Sequence, residues 1–185
     1  MLYISYRKDF WNNTIAATHD AIRDVTDAKE VDISEDAFNA TIQGKRLLLL
    51  VHGYRNTRED VIGGYRMIEQ QLIANNLVGT GPRSYSQVIG ITWPGGLFRI
   101  SFQLAKLRAN AIGDSVFARL RKIAATAKAV DIMTHSLGAR VALKALQNAP
   151  ASTTTVRHLI LTAPAIDDES IQRDEKFFGA TKTCE

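Results

Sequence analysis

The residue best suited to do chemistry is Ser136, in the run VDIMTHSLGARVALKAL from Val130 to Leu146. An apolar stretch precedes this serine and a helical pattern follows it. The sequence therefore predicts a strand, a tight turn at Ser136 and a helix from Leu137 or Gly138. Such a turn exposes the serine hydroxyl and points the positive end of the next helix toward it. Attack on a carbonyl carbon would further require a base, an acid that orients the base, and an oxyanion hole.

Distinctive residues also follow three other predicted strands. These strands are the apolar runs at 46–51, 87–92 and 157–162. Continuous apolar runs are typical of strands buried on both faces of a parallel sheet, and the carboxyl ends of parallel strands lie at one edge. We therefore expect one rim to carry the residues that follow them: His52-Gly53-Tyr54, Trp93-Pro94-Gly95 and Pro164 to Asp168.

The remaining pattern alternates strands with helices, which predicts an α/β fold with a parallel sheet and helices on both faces. Leu2 to Tyr6 reads as a first strand at a sheet edge. Helices are predicted from Asn13 or Thr14 to about Ala28, from Ser34 to Gly44, from Arg58 to Ala74 or Asn75, from about Leu97 to Lys128 and from Ser170 to Phe177. In the longest of these, Gly113 either divides the helix or marks close packing.

Composition limits the classes of function. A length of 185 residues favours one domain spanning 1–185, and the net charge of +4 is small for a nucleic-acid-binding protein. The basic residues between Arg99 and Lys128 have helical spacing, which favours a solvated helix face over a polyanion site. Cys184 is the single cysteine, and no His, Cys or carboxylate set has the spacing of metal ligands. We expect no cofactor, metal, nucleic-acid partner or membrane span, and a cytoplasmic location.

Taken together, these motifs resemble the α/β-hydrolase superfamily. They are nearest an uncharacterised bacterial family of esterase-like hydrolases that has an HG[YF] strand end, a strand ending in WP and an HS[LM]G turn. The resemblance covers Lys45 to Asp168. It implies an α/β-hydrolase-like sheet in a three-layer sandwich, shortened at the C-terminus, because two further strands and a late histidine are expected after this point.

The resemblance also implies roles for individual residues. Ser136 would be the nucleophile, and the backbone N–H groups of Leu137 and Tyr54 would form the oxyanion hole. Close backbone approach at Gly53 would suit that loop. Three further residues, Trp93, Pro94 and His135, would line the substrate pocket. Thr134 departs from the G-x-S-x-G pattern, since it stands where a smaller residue is usual.

The sequence offers several candidates for the base and for the acid. His158 is the one histidine after Ser136, and it begins its strand, which places it on the opposite rim. His135 diverges from its neighbour on the turn, and His19 belongs to an early helix, so His52 is the nearest alternative base. Asp167 or its neighbour Asp168 is a candidate acid, although the acidic run 167–169 also fits a helix N-terminus.

Three explanations stay open. The chain is a fragment or shortened copy that lost catalysis, or a second subunit completes the sheet edge and the site, or a different base is used. We expect a serine hydrolase that acts on a small-molecule carboxylic ester or acyl substrate, of the esterase, lipase or thioesterase type. The alternative is a catalytically impaired hydrolase-fold protein that serves as a binding or interaction module.

Overall fold

The protein is built around a seven-stranded sheet. The computed structural model describes residues 1–16, 21–25, 29–96, 101–147, 149 and 156–184. The strands are β1 (Leu2–Ser5), β2 (Ala21–Val25), β3 (Glu30–Asp32), β4 (Arg46–Val51), β5 (Gln87–Thr92), β6 (Ala129–His135) and β7 (His158–Thr162). They are arranged in the order β3-β2-β1-β5-β4-β6-β7.

The five neighbouring strands β1, β5, β4, β6 and β7 run parallel, whereas β2 pairs antiparallel with both β1 and β3. In the central strand β4, Leu47 and Leu49 contribute to the apolar core on one face, and Leu48 and Leu50 contribute to the core on the other. This double burial explains why β4 is apolar throughout. The predicted α/β class and the parallel arrangement of the site-bearing strands are confirmed.

Helices cover both faces of the sheet. They are α1 (Glu35–Ile42), α2 (Arg58–Ala74), α3 (Phe102–Thr126), α4 (Gly138–Gln147) and the short α5 (Phe178–Thr181), with a 3₁₀ turn at Asp168–Ile171. Helix α2 packs on the face formed by Leu48 and Leu50, while α1, α3, α4 and α5 contribute to the opposite core. A capping box fixes the start of α2, because the side chains of Thr57 and Asp60 each accept a hydrogen bond from the other's backbone N–H.

The longest helix, α3, continues through Gly113 without a break. A Cβ placed at Gly113 would collide with the side chain of Lys144 on α4. Gly113 therefore marks the close approach of α3 and α4. Of the two interpretations that the sequence allowed, close packing is confirmed.

Three predictions about local structure were wrong. The predicted helix to Ala28 is instead the strand β2, which pairs with β1 through Ile4↔Ile22, and residues 17–20 and 26–28 lie outside the described ranges. Strand β1 is not at an edge, because β2 and β5 flank it. The predicted helix 170–177 does not form: the chain makes a 3₁₀ turn at Asp168–Ile171 and then further turns. A 2.7 Å hydrogen bond from the Phe177 N–H to the Ser170 carbonyl joins the two ends of this segment.

None of the helices in the described part of the chain is long and apolar enough to cross a membrane.

Candidate functional site

The turn at Ser136 joins the end of β6 to the start of α4. Ser136 has a φ of 52°, a left-handed conformation that costs energy for a residue with a side chain. Its backbone is tied on three sides, because Ser136 N–H donates to Thr162 O at 3.0 Å and Ser136 O accepts from Ala165 N–H at 3.0 Å and from Ala139 N–H at 3.1 Å. The elbow predicted from the sequence is therefore present, and its backbone hydrogen bonds hold it in the strained geometry.

Two glycines allow the elbow to pack against the end of β4. A Cβ on Gly138 would lie 2.5 Å from Val51 O and 2.6 Å from His52 O. A Cβ on Gly53 would lie 2.7 Å from Ser136 Cβ. Carbon atoms normally approach to about 3.5–4.0 Å. The loop after β4 and the serine turn are thus in direct contact, and no larger residue fits at either glycine without displacement.

The two backbone groups predicted for the oxyanion hole lie on these two segments. Leu137 is fully buried, and no acceptor among the described residues takes its N–H. Buried backbone N–H groups are nearly always paired, so an open one beside a serine is notable. Tyr54 follows Gly53, and its ring contacts Phe102 edge-on with centroids 5.5 Å apart.

Thr134 is accommodated two residues before the serine. Its side chain is buried, and its hydroxyl donates a 3.4 Å hydrogen bond to Ile160 O on the neighbouring strand β7. The polar group is therefore satisfied where a smaller residue is usual. The departure from the G-x-S-x-G pattern does not disturb the turn.

His52 is buried behind the Gly53 loop, with both ring nitrogens in contact with protein groups. Nδ1 lies 2.9 Å from Gly53 O, and Nε2 accepts a 3.1 Å hydrogen bond from the Trp93 N–H. Burial, followed by the charge of Arg7 at 3.3 Å, lowers the pKa of His52 to about 3. The ring is consequently neutral, with its proton on Nδ1.

Trp93 and Pro94 pack behind the same loop. Trp93 is fully buried, stacks on His52 at a centroid distance of 5.6 Å, and donates from Nε1 to His52 O at 2.8 Å. Pro94 is also buried, and its carbonyl accepts a 3.4 Å hydrogen bond from Arg108. These contacts brace the loop that carries Gly53 and Tyr54.

Comparison with known proteins bears on this arrangement. The model of a family described as "Alpha/beta hydrolase of unknown function (DUF900)" matches residues 26–183. The chain belongs to this family. No curated protein matches it. One solved structure, phospholipase PlaB from Legionella pneumophila, is 18% identical with a TM-score of 0.39, and the match covers 75% of this chain and 32% of that one. The chain thus spans about a third of that protein's length, and so distant a likeness carries no argument about activity.

Of the other described histidines of this α/β hydrolase, His135 lies on the elbow itself, whereas His158 lies at the opposite rim of the sheet. His135 is exposed on the elbow, and its Nδ1 would lie 3.3 Å from a Cβ at Gly53. His158 begins β7 and pairs in register with Asp131, whereas Ser136 follows the other end of β6. Five residues of strand separate Asp131 from Ser136, which is roughly 16 Å. His19 lies outside the described residues. No histidine that the structure describes hydrogen-bonds to Ser136.

His158 belongs instead to a polar cluster around Asp131. The carboxylate is 1% exposed and accepts from Arg157 at 2.7 Å and from the Tyr85 hydroxyl at 2.8 Å, while His158 Nδ1 lies at 3.2 Å. Burial alone would raise the pKa of Asp131, but the hydrogen bonds from Arg157 and Tyr85 hold it below its usual value. The cluster joins β6 and β7 at the rim opposite Ser136.

Asp167 lies on the same rim as Ser136, in the segment that follows β7. It is exposed and precedes the 3₁₀ turn. Its charge acts on Arg140 in the first turns of α4. Arg7 and Arg140 are buried side chains near this rim that the sequence did not identify. Arg140 follows the elbow by four residues and lies between the apolar residues Ala139 and Val141 of α4, and that position is the signal that could have identified it.

Among the described residues, no group of three or more His, Cys, Asp or Glu side chains is placed to hold a metal ion.

Proposed function

We propose that this α/β hydrolase cleaves carboxylic esters of small molecules through Ser136. The observation that carries the proposal is the left-handed Ser136 turn in contact with the Gly53 loop. This contact brings a serine hydroxyl and two backbone segments together at the carboxyl ends of β4 and β6. A nucleophile with N–H donors fixed beside it is the arrangement that acyl transfer requires.

The proposed reaction has two steps. Ser136 Oγ bonds to the carbonyl carbon of the ester as a base takes its proton, and the N–H groups of Leu137 and Tyr54 donate to the oxyanion. Collapse of this tetrahedral species breaks the carbon–oxygen bond, the base returns the proton to the departing alcohol, and an acyl group stays on Ser136. Water then attacks the acyl-enzyme and releases the acid. Each oxyanion donor is worth about 3–4 kcal/mol of transition-state stabilisation.

In this proposal, His52 is a positioning residue and not the base. Its Nε2 accepts from Trp93, its Nδ1 contacts Gly53 O, and its pKa of about 3 opposes protonation during the reaction. It holds the Gly53 loop against Trp93. His135, exposed beside Ser136, is placed in the pocket wall, and Asp167 remains our candidate for the acid.

Hydrolysis of a short-chain p-nitrophenyl ester tests the proposal. We expect a rate above the uncatalysed reaction that Ser136→Ala lowers by at least about 10³-fold, since the nucleophile is lost. The matched control is Ser101→Ala, which changes a serine at the N-cap of α3. Equal rates for the wild type and Ser136→Ala would refute it.

The alternative, a non-catalytic binding module, is favoured by one observation. No described histidine hydrogen-bonds to Ser136, so the described contacts include no base. Imidazole added to the ester assay separates the alternatives, with Ser136→Ala subtracting the direct reaction of imidazole with the ester. A Ser136-dependent acceleration by imidazole indicates a working nucleophile that lacks a base, whereas no Ser136-dependent rate with or without imidazole favours the binding module.

We further propose that a second copy of the chain pairs along β7. This strand lies at one end of the described sheet and exposes Ile160 by 36%. An edge with unpaired backbone groups is a template for pairing with another chain. Light scattering would show a dimer, and Ile160→Lys would convert it to a monomer. A wild-type monomer at high protein concentration would contradict this part of the proposal.

A further inference from the structure

A cavity of about 350 Å³ opens between α3, α4 and the segment after β7. Three cationic side chains line it, Lys106, Arg140 and Lys176, together with the carboxylate of Asp167 and the amide of Asn110. The charged groups in the wall therefore sum to +2. They come from three separate parts of the chain, so the fold itself brings them together. Ser136 is not part of this wall.

Arg140 is the unusual member of the cavity wall. It is 4% exposed, and its Nε has no hydrogen-bond partner. Its guanidinium lies over the Phe177 ring at 5.4 Å and forms no hydrogen bond or salt bridge with a described residue. A buried cation without a hydrogen-bonded partner is costly, and proteins rarely keep one without a reason.

Arg119 provides a comparison within the same protein, because it is a buried arginine whose guanidinium is hydrogen-bonded to a carboxylate. Arg119 is also buried, at 6% exposed, and its Nη1 donates to both carboxylate oxygens of Glu35 at 2.6 and 2.8 Å. Arg140 has no such carboxylate at contact distance. Its charge interacts with Asp167, which is exposed and lines the same cavity.

A second polar atom in the wall is also unpaired. The side-chain oxygen of Asn110 is buried without a hydrogen-bond partner. Since rotation of the amide by half a turn exchanges its oxygen and nitrogen, Asn110 can present either an acceptor or a donor to a molecule in the cavity. Two unpaired polar groups on α3 and α4 therefore face the same space.

Repulsion among the cations indicates which kind of molecule would be favoured. The pKa of Lys176 is lowered, first by partial burial and then by the charges of Arg140, Lys144 and Lys106. An anion between these side chains would relieve the repulsion and supply acceptors to Arg140. Several oxygens on one centre would be needed to reach cations that project from three segments.

We propose that this cavity binds a phosphate group, with Arg140 as the central donor and Lys106 and Lys176 as flanking cations. The volume exceeds what a phosphate ion needs, so a phosphorylated small molecule or the headgroup of a phospholipid fits the same chemistry. The wall of this site does not include Ser136, but it includes Asp167, our candidate for the catalytic acid; phosphate binding itself does not require the proposed hydrolase activity. It is joined to the elbow by the segment in which the Ala165 N–H binds Ser136 O.

Titration of the full-length protein with inorganic phosphate and with glycerol 3-phosphate tests the proposal, with calorimetry and thermal unfolding as readouts. We expect saturable binding and a rise in Tm, because a ligand that binds only the folded state stabilises it. Lys106→Gln and Lys176→Gln should each weaken binding by about tenfold. The matched control Lys128→Gln, an exposed lysine before β6, should leave binding unchanged.

Arg140→Met provides a second readout that a merely structural arginine would not give. We expect the variant to have a Tm equal to or above that of the wild type without phosphate, because an uncompensated buried charge is removed, and to show no rise in Tm when phosphate is added. Vesicles with and without phosphatidic acid separate the sources. Binding only to phosphatidic acid vesicles, weakened in Lys176→Gln as for the soluble probes, assigns the site to a lipid headgroup. The proposal is overturned by absence of binding to all three probes, or by equal losses in Lys128→Gln and Lys176→Gln.

Discussion

Replacing Gly53 by alanine perturbs the contact on which the proposed site depends. The added Cβ would lie 2.7 Å from Ser136 Cβ and 3.0 Å from His135 O. Three backbone hydrogen bonds hold Ser136 in place, and Trp93 and His52 pack behind the Gly53 loop. Neither side can yield easily, so we expect the loop after β4 to move by about 1 Å, the difference from an ordinary carbon contact.

The magnitude follows from this overlap. Forcing one extra carbon into a close-packed site costs about 1–3 kcal/mol of unfolding free energy. The same displacement carries the Tyr54 N–H away from the oxyanion position, and loss of one such donor lowers the rate by about 10²–10³-fold. Gly53→Ala should therefore lose about 1–3 kcal/mol of stability and about 10²-fold in ester hydrolysis.

Gly63→Ala is the matched control, since a Cβ there meets nothing within 4 Å on the exposed face of α2. Alanine is the better helix former, so this variant should gain about 0.5–1 kcal/mol. Urea unfolding and ester hydrolysis of both variants complete the test. A Gly53→Ala protein with wild-type stability and activity within about twofold of wild type would refute the packing argument.

Three further predictions concern stability, each measured by urea unfolding. Lowering the pH from about 6.5 to about 5 should lower the free energy of unfolding by about 1.5–2 kcal/mol. The pKa of His52 in the folded protein is about 3, so only the unfolded chain takes up a proton in this range. A His52→Gln variant with the same pH dependence would refute this. Asp131→Asn should lower the free energy of unfolding by about 2–3 kcal/mol, because it breaks the buried ion pair with Arg157. The control Asp32→Asn changes a side chain that is 78% exposed and should cost less than about 1 kcal/mol. Similar losses in the two variants would contradict the argument. Thr57→Ala should cost about 1 kcal/mol through loss of the cap of α2, and an unchanged midpoint would show that the cap contributes nothing.

The central part of the fold could be predicted because its strands are buried on both faces. The run 46–51 and the run 87–92 coincide with β4 and β5. Each has no polar face, so only a central position in a parallel sheet suits it. The Ser136 turn could also be predicted. The apolar strand before it ends and the amphipathic helix after it begins within three residues, so the connection must be a tight turn.

The N-terminal part could not be predicted because its pattern fits two structures. Ile22 and Val25 are three residues apart, which places them on one face of a helix but on opposite faces of a strand. In β2 they contribute to the two different cores of the sheet. Strand β3 is shorter still and polar, with Glu30 and Asp32 held by ion pairs to Arg23 on β2. Residues 30–32 form a strand because they pair with β2, and their own sequence does not favour one.

The cationic cavity also depends on contacts that no local pattern contains. Arg140 lies in the first turns of the amphipathic helix α4, and Lys176 lies in a turn 36 residues later in the chain. The turn between Ser170 and Phe177 brings them together. Sequence spacing predicted a helix there, and a helix would have placed Lys176 elsewhere.

Labelling with a fluorophosphonate probe tests the central claim most directly, because the probe bonds to a serine hydroxyl only where that hydroxyl is activated. The account predicts a label on the peptide that contains Ser136, lost in Ser136→Ala and retained in Ser101→Ala. Ser136 is partly exposed. A folded wild-type protein that carries no label on Ser136 would contradict the assignment of this serine as the nucleophile.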